Sequence, residues 1–534
     1  MKTDSRGQSA VEFDPVLVHE WLERAARRHP EKTALICGKV RCTYSQLNAE
    51  SAALAGALTR LGLSRNDRAV IFMPTCNEVV TGLYATLKAG AAFVIVNGAV
   101  KADKLRYVVE NSGARVILAH TDRAAVVSKT LAQMPTAPPV VWAGDPAKIP
   151  PESHAMSWEE AVATDCMPEA RRIIDVDLAA LIYTSGSTGE PKGVMSTHHN
   201  MISAARSIIQ YVGNREDDII LNVLPLSFDY GLYQVIMSVC FGGTVVLEPS
   251  FVYLHNVLRR IAEKKVTGFP IVPTILAMLL NLEDPGRYDF SSLRYITNTG
   301  AALPPEHIRI FHTLFPGIEI FSMFGLTECK RVSYLPPQDV DRKPDSVGTA
   351  MPNCETCIVD KDGRPVPSGQ AGELVIRGSN VMQGYWRDPE MTGRTYRPGR
   401  YPADRQLYSG DQFREDEDGF LYFIGRQDDM LKCKGERVSP KEVENVLCRM
   451  PGIVEAAVIG IPDATLGQAI LAVISVRPDQ AVTERDVLKH CTLHMENFMV
   501  PSHIEFRDQL PRTPHGKIDK KQLAQERCQK KNPS

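Results

Sequence analysis

The sequence predicts an α/β protein. It has a large N-terminal domain of two βα-type sheets plus a β-rich subdomain, followed by a small α+β C-terminal domain. Three observations carry this. Short apolar runs alternate with amphipathic helices near the N-terminus and again after residue 178. From about Cys354 the pattern becomes short strands between Gly, Pro and Asp turns, and after Gly425 a compact mix of helices and strands. At 534 residues the chain is too long for one ordinary core.

The elements follow in order. Leu17, Trp21, Leu22 and Ala25 form one apolar helical face. Thr43 caps a second helix carrying Leu47, Leu54, Leu58 and Leu61. A strand is predicted at 69–73, a helix at 78–88, a strand at 92–96, a helix at 103–111 and a strand at 115–119. Such alternation argues for parallel βαβ units covered on both faces. The proline-rich stretch 135–152 reads as a surface excursion. The rhythm returns with strands at 181–183, 219–224 and 245–247, a helix at 254–264, and strands near 295–297 and 318–322. Strands at 357–359, 373–377 and 420–424 form the β-rich part. Helices at 440–449 and 484–495 and strands at 456–461 and 470–476 form the last unit, and a basic helix follows Asp519.

Composition removes several classes. The apolar fraction of 44%, the charged fraction of 23% and a net charge of −2 are those of a soluble globular protein with no need of nucleic acid or an anionic membrane. The first thirty residues hold no apolar signal-peptide core. The longest apolar stretch, 269–282, is too short to span a bilayer and carries two prolines, so no transmembrane segment is expected. The twelve cysteines are scattered; the one CxxC, Cys354 to Cys357, has no second pair at zinc spacing and reads as two strand residues. Free thiols fit a reducing cytoplasm.

One segment carries chemistry directly. Tyr183-Thr-Ser-Gly-Ser-Thr-Gly-Glu-Pro-Lys-Gly-Val194 follows a buried strand and surrounds Lys192 with glycines and hydroxyls. Glycines let the backbone turn its N–H groups toward an anion, Thr184, Ser185, Ser187 and Thr188 add donors around Gly186 and Gly189, and Lys192 adds charge. The physical reading is a polyphosphate cradle. It is not a Walker A loop, since Gly-Lys followed by Ser or Thr is absent.

This loop resembles the signature of the adenylate-forming superfamily, which comprises acyl-CoA synthetases, adenylation domains of nonribosomal peptide synthetases, and luciferases. Further segments match in the family's order: Leu224 to Gly231, Asn298 to Ala301, Phe324-Gly-Leu-Thr-Glu328, Tyr408 to Asp411, Gly425 to Asp429, Lys432 to Val438 and Pro511 to Lys517. The resemblance spans about residues 15 to 523. It implies an adenylating core over 1–424, a hinge at 425–429 centred on Asp428, and a mobile C-terminal domain over 430–534.

By the same resemblance, Gly300, Ala301, Phe324 and Gly325 belong to the nucleotide site, with Phe324 stacking on adenine where the family has Tyr. Thr327 contacts the AMP phosphate, Glu328 holds Mg²⁺, Asp411 binds the ribose hydroxyls, and Arg426 lies near ribose and phosphates. Lys517 reaches the reacting carboxylate in the first half-reaction, and Gly435 lets a pantetheine arm pass. ATP, Mg²⁺ and CoA, or the phosphopantetheine of a carrier protein, are the implied cofactors.

The acid pocket is expected from Phe228, Asp229, Tyr230, Tyr233, Thr297, Thr299, Met323, Arg331 and Val332. Amino-acid-activating relatives use an Asp at the place of Asp229 for the substrate ammonium. Here Arg331 is expected to pair with Asp229, leaving the pocket to a fatty or medium-length acyl acid. The expected reaction is activation of a small-molecule carboxylic acid to acyl-AMP and its transfer to CoA. The alternative is amino-acid adenylation and loading of an acyl or peptidyl carrier protein acting in trans. An inactive binding protein on the same scaffold is disfavoured by Lys192, Glu328 and Lys517.

Overall fold

The computed structural model describes residues 14–151, 155–163, 173–184, 190–251, 253–280, 282, 284–299, 303, 305–401, 404–426, 431–433, 436–438, 440–463, 467–476, 480, 482–511 and 518–531. Four sheets organise them. The first has seven strands, in the order Ala155–Ser157, Val140–Ala143, Val116–His120, Arg68–Phe72, Ala92–Ile95, Leu178–Thr184 and Lys192–Thr197. All its pairs are parallel except the last. The second has nine strands. Its centre is parallel through Ile219–Asn222, Gly268–Ile271, Tyr295–Asn298 and Glu319–Phe324, and antiparallel strands close both edges.

The two sheets share one apolar core. Ile71 and Leu118 of the first sheet lie in the same cluster as Leu35, Val245 and Ile296 of the second. The Asn77–Lys88 helix is buried on every side from Val79 onward, as expected of a helix between two layers rather than on a surface. The Tyr44–Arg60 helix packs beside it. Thr43 caps that helix by accepting from the Gln46 N–H, and the Gln46 side chain answers to the Thr43 N–H.

The β-rich part is a five-stranded antiparallel sheet of Cys354–Val359, Gly372–Gly378, Arg405–Glu415, Tyr396–Pro398 and Leu421–Arg426. Cys354 and Cys357 sit three apart on one of its strands, and both are free thiols. The last unit is a sheet of Leu431–Cys433, Glu436–Val438, Ile453–Asp463, Gly467–Val476 and His503–Phe506. The Pro440–Cys448 and Glu484–His494 helices cover one face, around Val443, Val458, Ile470 and Val487.

The stretch 135–152 departs from expectation. Val140–Ala143 within it is a fully buried strand of the first sheet, packing Trp142 against Ile117 and Val127. The flanking prolines masked a four-residue apolar run that is short even for a parallel strand. Among the described residues, no helix is long and apolar enough to cross a membrane.

Candidate active site

The candidate residues gather at the carboxyl ends of parallel strands, where open α/β sheets bind ligands. Thr184 ends one strand, and its antiparallel partner is Lys192. Residues 185–189 of the glycine-rich loop, Gly300, Ala301, Asp428, Gly435 and Lys517 lie outside the described residues.

Lys192 is brought to Glu328 through a third residue that sequence reading missed. The segment from Gln383 to Trp386 runs beside the Lys192–Thr197 strand: Met195 N–H donates to Gly384 O, Gln383 N–H to Met195 O, and Trp386 N–H to Gly193 O. This places the Tyr385 ring 5.6 Å from the Lys192 ammonium. The Tyr385 hydroxyl donates to Glu328 Oε1 at 2.7 Å. Tyr385 has no motif around it beyond a glycine; only the backbone ladder reveals it. Glu328 is the carboxylate held at this corner, and among the described residues no group of three or more His, Cys, Asp or Glu forms a metal cage. That donor set suits Mg²⁺, which is normally held by one or two carboxylates together with nucleotide phosphates.

The nucleotide side continues in the β-rich sheet. Phe324 is half-buried, with its ring 4.9 Å from Phe413 and 6.3 Å from Phe423. Asp411 is fully buried and stands opposite Arg426 in the strand register. Its N–H donates to Ser409 Oγ within a tight turn, where Gly410 has φ +69. Gly325 permits the return of the chain after Thr327 and Glu328, since a Cβ there would meet Lys330 O at 2.4 Å.

Of the residues expected to line the acid pocket, Phe228 precedes the Asp229–Phe241 helix and meets the Tyr230 ring edge-on at 6.3 Å. Asp229, in the first turn, gains from the helix dipole. The Tyr230 hydroxyl bonds to Thr297 at both Oγ1 (2.6 Å) and the main-chain oxygen (2.7 Å). Thr297, Thr299, Tyr233 and Met323 are all buried. Val332 is buried in the core of the β-rich part, with Leu326, Ile376 and Leu407.

The expected Asp229–Arg331 pair is not formed. Asp229 is paired with Lys330, whose ammonium lies 3.6 Å from Asp229 Oδ2 and donates to Asp229 O at 2.8 Å. Lys330 is 2% exposed and adopts the left-handed region, φ 65. That conformation costs a non-glycine residue about 1 kcal/mol or more and is kept only where neighbours fix it. Its ammonium also lies 4.4 Å from the Tyr233 ring. Burial, opposed by Asp229 and reinforced by Arg331, lowers the Lys330 pKa to about 7. The left-handed turn aims Lys330 and Arg331, though adjacent, into the same interior. Spacing alone does not decide which of two neighbouring cations takes the carboxylate.

A strand carrying Lys192, a carboxylate beside it and a separate buried set of aromatic, threonine and charged side chains fit the arrangement expected of an enzyme that joins ATP to a carboxylic acid. The chain belongs to the AMP-binding enzyme family. The family model matches residues 22–386, and that of the AMP-binding enzyme C-terminal domain matches 442–517. It is similar to a long-chain-fatty-acid–CoA ligase of Mycobacterium tuberculosis (32% identical, covering 91% of this chain and 93% of the relative). It is also similar to a sulfoacetate–CoA ligase of Cupriavidus necator (29% identical, covering 90% and 92%). Among solved structures it resembles an o-succinylbenzoate CoA synthetase of Bacillus subtilis. A double mutant of that enzyme with a product analogue, OSB-NCoA, superposes at TM-score 0.82 (26% identical, covering 95% and 98%). The same enzyme in complex with its acyl-adenylate superposes at 0.67 (27% identical, covering 94% and 97%). The protein is thus an acyl-CoA ligase that uses ATP and CoA on a small-molecule acid.

Proposed function

We propose that the chain activates a fatty or medium-length acyl acid as acyl-AMP, with release of pyrophosphate, and then transfers the acyl group to the thiol of CoA. The observation that carries the choice of acid is the Asp229–Lys330 pair. A carboxylate already neutralised by a buried ammonium is not available to a substrate ammonium, which disfavours the amino-acid alternative. The relatives' names span long-chain fatty and sulfonated acids, so similarity leaves the acid to be decided by the pocket.

In the first half-reaction a carboxylate oxygen of the acid attacks the α-phosphorus and pyrophosphate leaves. Thr184, Lys192 and Thr327, with the loop residues 185–189, hold the phosphates. Glu328, oriented by Tyr385, would hold Mg²⁺, which would offset phosphate charge. Asp411 and Arg426 hold the ribose side, and Phe324 with Gly300, Ala301 and Gly325 the base. Lys517 stabilises the charge that builds between acid and phosphate.

In the second half-reaction the thiol sulfur forms the new bond to the acyl carbonyl carbon, and AMP leaves with the electron pair. The closer superposition on the synthetase with a CoA-product analogue than on its acyl-adenylate complex supports reading this arrangement as the thiol-transfer pose. Asp428 then serves as the pivot and Gly435 as the place where the pantetheine arm passes.

The test is acid-dependent ATP–pyrophosphate exchange with fatty, aromatic and amino acids, followed by CoA thioester formation. Exchange confined to amino acids would defeat the proposed substrate class.

A further inference from the structure

Arg331 is 2% exposed, yet no carboxylate among the described residues pairs with it. Its neighbours are the Tyr230 ring, 5.3 Å from the guanidinium carbon, the Tyr211 hydroxyl and the Lys330 ammonium. None is an anion. Arg331 Nε is buried with no hydrogen-bond partner, as is the nearby Tyr233 hydroxyl. Asp229, in the same interior, is already engaged by Lys330. One carboxylate and two basic side chains therefore share a buried site, and among the described residues Arg331 is left without an ion pair. A guanidinium is not deprotonated in proteins, so the charge persists and needs a partner.

Position separates this charge from the nucleotide. Lys192, Glu328 and Tyr385 form one contact set. Arg331 belongs to another, with Tyr211, Tyr230 and, through Tyr211, Met323. The carboxylate that reacts must lie at the α-phosphate, on the first set. A negative group that satisfies Arg331 must be a second one, at the other end of the same acid.

We propose that the acid activated by this enzyme carries a second anionic oxygen group, a carboxylate or a group of the same charge and geometry, which Arg331 receives in the interior of the pocket. This rests on the ligase reading above and narrows it from acyl acids in general to acids anionic at both ends. The fork of the guanidinium suits a planar carboxylate. A plain acyl chain in the same place would leave the charge buried beside methylene groups, and the site rejects it for that reason.

The test is pyrophosphate exchange with succinate, adipate, suberate and sebacate, each against its monocarboxylate of equal length and its monomethyl ester. The ester keeps the size and removes the charge. We expect at least one diacid to exceed both controls in kcat/KM by roughly tenfold to a hundredfold, the worth of a hydrogen bond to a charged group. Arg331→Met should collapse that ratio, and Arg331→Lys should keep part of it. If every monocarboxylate matches or exceeds its diacid in the unmodified enzyme, the proposal is overturned while the ligase reading stands, and this comparison needs no variant to fold. If no acid of this series, nor any fatty, aromatic or amino acid, supports exchange, the ligase reading falls and the proposal with it.

Discussion

The Lys330 ammonium donates at 2.8 Å to the main-chain oxygen of Asp229 and lies 3.6 Å from the carboxylate of the same residue. Asp229 opens the helix proposed to form one wall of the acid pocket, while Lys330 sits in the turn that follows Glu328. One side chain therefore ties the pocket wall to the nucleotide-site loop. A shift of either element strains the other, so under the proposed function the pair is a positioning device between acid and phosphates.

Removing one partner should expose this. Asp229→Ala leaves a buried, uncompensated ammonium and should lower stability by about 3–5 kcal/mol, measured by urea denaturation. Adding Lys330→Met removes the stranded charge and should restore most of the loss. Adding Arg331→Met instead should not. Restoration by Arg331→Met and not by Lys330→Met would mean that Arg331 is the true partner.

How far the sequence carried the reading depends on what each feature rests on. Motif residues such as Lys192, Glu328 and Asp411 could be nominated from the sequence because their spacing and chemistry travel together, and the structure brings Lys192 and Glu328 to one tyrosine. The long amphipathic elements were legible as well: the helix expected at 254–264 is Leu254–Lys264. The Val140–Ala143 strand was not, since four apolar residues between prolines carry too little periodicity. Neither Tyr385 nor the Lys330 partnership was legible. Tyr385 reaches Glu328 across 57 residues through a backbone ladder, and Lys330 points inward only because its backbone is left-handed.

Tyr385 should matter to metal use rather than to the acid. Its hydroxyl fixes one oxygen of Glu328 at 2.7 Å. Tyr385→Phe keeps the ring near Lys192 but frees the carboxylate to rotate. The Mg²⁺ concentration for half-maximal exchange should rise by roughly threefold to tenfold, the worth of one hydrogen bond, with the KM for the acid little changed. An unchanged Mg²⁺ requirement would remove Tyr385 from this role.

Lys517 should divide the two half-reactions. With Lys517→Ala, adenylate formation should fall by at least about a hundredfold, as expected when a charge-stabilising group is lost. Transfer of a supplied acyl-adenylate to CoA should fall far less, because the bond made there is to the acyl carbonyl carbon and not to phosphorus. Equal losses in both would show that the residue supports the fold and not the chemistry.

The last prediction concerns pH. Lys104, in the Ala102–Ser112 helix of the large domain, pairs at 3.0 Å with Glu496 of the C-terminal unit, whose side chain is buried. Glu436, partly buried on its hairpin strand, shares this environment. Burial first, then the neighbouring Glu496, raise its pKa to about 7, and Lys104 opposes them. Two carboxylates thus share one ammonium across a junction between the two parts of the chain. Close by, burial and His490 lower the pKa of His494, which Asp103 and Lys129 also face.

For an acid raised in the folded state the sign is fixed. Its contribution is fully present below the ordinary Glu value of 4.5 and is lost as pH rises through about 7. The loss is at most about 3 kcal/mol, and less with solvent screening at a partly exposed position. Glu436→Gln cannot ionise, so its melting temperature should exceed that of the unmodified protein near pH 8. The gap should shrink as pH falls below about 7 and close below the ordinary Glu value of 4.5, where Glu436 is protonated in both states. Because the contact joins two parts of the chain, the same variant should retain more CoA-transfer activity at alkaline pH. A gap independent of pH would show that Glu436 does not titrate at this junction.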